Sequence, residues 1–160
     1  MPQMEPTPIR GPWTVNEVQQ FLEATVIPIR LGVQTSVGWP LVMSVWFIAD
    51  GLELVCATQS TSTLVRCLEQ QPVCGFEVAA DAPPYRGVRG HAEVVIDRVG
   101  GAEALDRLLL RYLGSLDSPL ARRLRAQSSD EVCLRLRPTS MVSWDFSRRM
   151  ASSLSPVAEG

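Results

Sequence analysis

Apolar residues first recur at helical spacing. Val15, Val18, Phe21 and Leu22 form one stripe that fades at about Thr25. Ahead of it, Thr14 and Glu17 make T-x-x-E, a capping box in which each side chain satisfies a backbone N–H that the first turn leaves unpaired. From Ile27 the period drops to two, with Ile27, Ile29, Leu31 and Val33 on one side and Arg30, Gly32 and Gln34 on the other. Gly38 to Pro40 predicts a turn and residues 41–48 a second strand. Asp50-Gly51 predicts a two-residue hairpin turn, because both residues tolerate positive φ, and residues 52–58 return as the third strand.

Polar residues 59–63 lead into a short helix over about 62–71, with Leu64, Val65 and Leu68 facing inward and Pro72 stopping it. Residues 73–80 predict a strand, 81–84 a tight loop, and 85–99 a long strand bent by Gly87 and Gly90. A helix over 102–113 lines up Leu105, Leu108, Leu109, Tyr112 and Leu113, and two last strands, 131–137 and 141–146, are divided by Pro138. Six or seven strands, mostly in hairpins, with three helices between them, predict a mainly β, α+β fold. Closure into a small barrel removes exposed edges. The Pro-rich, aperiodic residues 1–12 are expected to form a flexible arm and 151–160 a flexible tail, leaving one domain over 13–150.

Composition narrows the chemistry. All fifteen basic residues are arginine and there is one histidine, His91. An internal Schiff base, a phosphate-loop lysine and a multi-histidine metal site are thereby excluded, and no metal is expected. Cys56, Cys67, Cys74 and Cys133 form no C-x-x-C pair and sit in apolar stretches, as reduced core cysteines do. No charged apolar leader and no membrane-length apolar run occur, so a cytoplasmic protein without membrane contact is expected. The net charge of −2 speaks against nucleic acid as a partner. Arginine nevertheless concentrates toward the end: residues 121–160 hold seven against four acids.

Few motifs carry chemistry. His91 and Glu93 share a strand face, but no G-x-S-x-G elbow accompanies them, and no G-x-G-x-x-G fingerprint occurs. Residues 58–63, with hydroxyls at Thr58, Ser60, Thr61, Ser62 and Thr63, span a strand end and a helix start. With Arg66 one turn in, they read as an anion seat; the same residues also read as an ordinary cap and turn.

The order of parts is the further clue: a covering helix, the hairpin W-F-I-A-D-G-L-E-L-V-C-A-T over 46–58, then S-x-x-x-R-x-L-x-x-x-P-V over 62–73, Y-R-G-V-R-G-H-A-E over 85–93, a helix, and W-D-F at 144–146. This order resembles the pyridoxamine 5'-phosphate oxidase-like family, the flavin-binding split barrels, over about residues 13–147. The resemblance implies a split-barrel homodimer holding FMN, or in some branches the deazaflavin F420 or haem, in a cleft between barrels. It puts the phosphate against Thr58, Ser60, Thr61, Ser62, Thr63 and Arg66. The ring would lie along the strand carrying Met43, Ser44 and Trp46, with Tyr85 and Arg86 near ring or phosphate, from the second chain. It implies an FMN- or F420-dependent oxidoreductase moving a hydride to or from a small organic substrate; a non-catalytic cofactor-binding or cofactor-free dimer of the same fold is the alternative. Leu64 and Val42 stand where the family commonly carries basic residues.

Overall fold

In the computed structural model, which describes residues 7–151, the alternating segments form one sheet that curls into a split barrel. Its strands are β1 (Ile9–Arg10), β2 (Ile29–Gln34), β3 (Pro40–Val45), β4 (Ile48–Asp50), β5 (Glu53–Gln59), β6 (Val73–Ala79), β7 (Arg86–Asp97) and β8 (Glu131–Asp145). The helices are α1 (Val15–Ala24), α2 (Thr63–Gln70), α3 (Gly101–Leu113), α4 (Pro119–Arg125) and the single turn α5 (Ser147–Met150). The order across the sheet is β3-β2-β6-β7-β8-β5-β4, antiparallel throughout, with β1 added in parallel to β8.

The two ends of that order, β3 and β4, are consecutive in the chain and separated only by Trp46 and Phe47. The expected single strand 41–48 is therefore two: β3 pairs with β2, the chain bends, and β4 pairs with β5. Phe47 is fully buried, and its N–H donates to the Tyr112 hydroxyl at 3.3 Å, which itself donates to the Ile27 carbonyl at 3.1 Å. Arg111 lies 5.4 Å over the Phe47 ring and donates to the carbonyls of Leu22, Glu23 and Thr25, closing the end of α1.

Further differences from the expectation have local causes. The two last strands are one, β8, because a bulge absorbs Pro138: His91 pairs with Ser140 and Ala92 with Pro138, leaving Thr139 over. The described part of the expected free arm is docked, with Met141 N donating to Pro8 O at 3.0 Å and Ile9 paired with Met141. Residues 1–6 and the tail from 152 onward lie outside the described residues. α4 is too short to show a period. It starts with the Ser118 hydroxyl accepting from Ala121 N, and with proline in its first turn.

One core fills the barrel. α1 contributes Val18 and Leu22, and α2 contributes Leu64, Val65 and Leu68. α3 packs on the outside of β5 and β8, where Ala104 meets Val55 and Cys133, so β5 is buried on both faces. All four cysteines are free and buried, as the sequence predicts. No described helix is long and apolar enough to cross a membrane.

Candidate functional site

Beside the bend, α3 and α4 lie against the barrel wall. Leu105, Leu109 and Ala121 pack there with Trp46, Ala57, Leu113, Leu116 and Leu124. A cleft of about 400 Å³ opens at this point. Its apolar wall is Pro28, Val45, Trp46, Ala57, Leu105, Leu108 and Leu124, and its polar groups are Ser44, Thr58, Gln59 and Glu131. The Trp46 indole stacks on Tyr112 with centroids 4.8 Å apart and planes 8° from parallel. Tyr112 is itself held by two backbone partners, so the indole forms a fixed aromatic wall.

Glu131 opens β8 opposite Gln59, the last residue of β5. Its backbone is clamped: Ser60 N donates to the neighbouring Asp130 carbonyl at 2.8 Å, and a Cβ on Gly101 would stand 1.9 Å from the Glu131 carbonyl oxygen. Burial, and then the charge of Asp130, push the Glu131 carboxyl above its ordinary range.

A second recess of about 200 Å³ is lined by Thr35, Ser36, Thr63, Arg66, Cys67 and Gln70. Arg66 donates to the Thr63 hydroxyl at 3.2 Å. Ser62 N donates to Gln59 O, and the Ser62 hydroxyl caps α2 by accepting from Val65 N at 3.2 Å. The cap reading thus holds for Ser62, while Thr63 and Arg66 face the recess.

Of the expected residues, Ser44, Trp46 and Thr58 share the cleft, and Thr63 and Arg66 share the second recess. Ser60, half-buried, and Thr61, exposed, form the turn between them. Met43 packs against the barrel core and reaches neither. Tyr85 is exposed, and Arg86 lines a separate recess with Trp13, Glu17 and Asp145. His91 is exposed on the outer face of β7, its Nδ1 3.4 Å from the Ser140 hydroxyl. Leu64 is 1% exposed, so its side chain belongs to the core, whereas Val42 is 66% exposed. Leu64 thus offers no cation, and Arg66 is the basic residue on the exposed side of α2. Glu131, Gln59 and Leu124 escaped sequence reasoning. The one available signal was an acid and an amide at facing ends of two strands.

Solved structures share this architecture. A conserved hypothetical protein from Mycobacterium tuberculosis superposes with a TM-score of 0.70 at 21% identity, over 92% of each chain. A protein named F420 reductase superposes with a TM-score of 0.66 at 25% identity, over 77% of this chain and 94% of its own. A Listeria innocua protein described as a candidate pyridoxamine 5'-phosphate oxidase reaches 0.59 at 14% identity, over 79% and 94%. No protein-family model and no curated protein matches the chain. The fold is the pyridoxamine 5'-phosphate oxidase-like split barrel, an α+β architecture.

The residues present fit a flat ring with an anionic tail. Ligand clefts typically measure about 300 to 1,000 Å³ with apolar walls and a few polar groups, and this cleft has both properties. The second recess offers a guanidinium and a hydroxyl, the donor set for a phosphate. Haem fits less well, because neither histidine nor cysteine lines the cleft.

Proposed function

We propose that this protein is a flavin-dependent oxidoreductase that binds FMN and moves a hydride to or from a small organic substrate. The observations that carry this reading are the Trp46-walled cleft and the Thr63–Arg66 recess, whose linings hold the two ends of the 59–63 segment. Trp46 and the leucines of α3 and α4 present apolar surface to a ring and keep water off it. Ser44 and Thr58 supply hydrogen bonds to the ring's polar edge, and Thr63 with Arg66 takes the phosphate, Ser60, Thr61 and Ser62 shaping the turn. Hydride exchange is the chemistry such a ring supplies when bound; the protein orients the partners and needs no nucleophile of its own. The deazaflavin F420 is the second reading, favoured by the likeness to F420 reductase at 25% identity.

The same reading makes the protein a homodimer whose second chain completes the cleft and brings Tyr85 and Arg86 to it. Trp39, 72% exposed, and Val42 leave apolar surface on the β2–β3 hairpin that such a partner would cover. Light scattering at micromolar concentration tests the dimer. The cofactor test is an absorption spectrum of the purified protein followed by titration with FMN and with F420. Micromolar binding of either supports the reading. A colourless protein that binds neither overturns it and favours a cofactor-free protein of the same fold.

A further inference from the structure

Among the described half-buried carboxylates, Glu131 stands apart. Glu53 pairs with Arg135 and Arg137, Glu77 with Arg30 and Asp106 with Arg125, while Asp97 and Asp145 accept from backbone N–H groups. The Glu131 carboxylate has no hydrogen bond or ion pair with another described residue and faces a cleft whose walls are otherwise mostly apolar. No described protein donor reaches this half-buried carboxylate, so its oxygens are free to accept an N–H from a ligand in the cleft. The Glu131 backbone is held by the β5 ladder, the Ser60–Asp130 bond and the close approach of Gly101. Rigid support for an unsatisfied acceptor is what a recognition group requires.

We propose that Glu131 is the specificity-determining residue of the cleft: its carboxylate accepts the imide N–H of the ring and thereby fixes which edge of the ring enters. This inference rests on the reading of the cleft as a ring site. Flavin and deazaflavin rings both carry an N–H between two carbonyls. The carbonyls can take donors from Ser44, Thr58 and the Gln59 amide, which line the same cleft as Glu131.

The test uses lumiflavin, which lacks the phosphate tail, and N3-methyl-lumiflavin, which lacks the donor. Flavin fluorescence gives the affinity of each for the parent, Glu131→Leu and Glu131→Gln. In the parent, methylation should weaken binding roughly ten- to hundredfold, the range of a charge-assisted hydrogen bond. In Glu131→Leu the methylation penalty should disappear, and in Glu131→Gln, which keeps an acceptor oxygen, part of it should remain. Circular dichroism confirms that each variant is folded. A residue with only a structural role would weaken both rings equally and leave the methylation penalty unchanged; that result overturns the inference while the cofactor reading stands. If neither lumiflavin nor FMN binds the parent, both fall.

Discussion

Position 64 offers a sharp test, because family resemblance and three-dimensional structure place it on opposite sides of α2. Were a basic residue needed there for the phosphate, Leu64→Lys would restore it and tighten FMN binding. The structure predicts the reverse. Leu64 is the second residue of α2 and 1% exposed in the main core. Removing a buried leucine side chain forfeits about 1.5 to 3 kcal/mol. Holding a lysine of ordinary pKa, about 10.4, neutral at pH 7 costs about 4 to 5 kcal/mol more. An amine that snorkels to solvent escapes the second penalty but still leaves the leucine's space poorly filled, and at a helix N-terminus the dipole opposes its charge. At least about 2 kcal/mol is therefore lost, which for a domain near 150 residues lowers Tm by at least about 4 °C. The assay is a thermal melt beside an FMN titration, with Arg66→Ala as the companion. That exposed substitution should melt with the parent yet bind FMN roughly ten- to hundredfold more weakly, as loss of one charge-assisted phosphate bond implies. A Leu64→Lys protein as stable as the parent and tighter for FMN would refute the placement of residue 64 in the core.

Three other outcomes are expected. Burial and Asp130 raise the folded-state pKa of Glu131, so its ionisation opposes folding: the stability it contributes is full below the unfolded pKa and lost as pH rises through the folded one. Glu131→Gln should accordingly melt higher than the parent at pH 7.5, the gap closing as pH falls below the ordinary carboxyl range; equal melting at both pH values would contradict an unpartnered carboxylate. Gly101→Ala should lower stability by about 1 to 3 kcal/mol, because its new Cβ would press on the Glu131 carbonyl from 1.9 Å; urea denaturation reads this, and a neutral effect would mean that the start of α3 yields freely. Burial pushes the Cys74 thiol up to about 11 and the Cys56 thiol higher still, so a thiol reagent at pH 8 should react with neither until denaturant is added.

Local pattern by itself determined most of the elements. The capping box at Thr14 and Glu17, the alternation of β2 and the inward stripe of α2 are all written in spacings of two to four residues, and all are present. The expected hairpin forms as well, but with its two-residue loop one position later, at Gly51 and Leu52, because Asp50 ends β4 paired with Glu53 and does not take positive φ. The helical period places Leu64 inward with Val65 and Leu68, and the structure sides with that period rather than with the family's basic position. Sequence also bounded the chemistry, since a chain without lysine and with one histidine cannot use most amine or imidazole catalysis. What only the tertiary structure decided is long-range. At the break over Trp46–Phe47, a hydroxyl from Tyr112, 65 residues on, accepts the Phe47 N–H that a continuous strand would have paired. The passage of β8 through Pro138 depends on a bulge opposite His91 and Ala92. The cleft joins Ser44, Thr58, Leu105, Leu124 and Glu131 from five separate elements or their margins. Periodicity reports which face of an element is buried, but strand register and barrel closure decide which faces meet, and those depend on contacts across most of the chain.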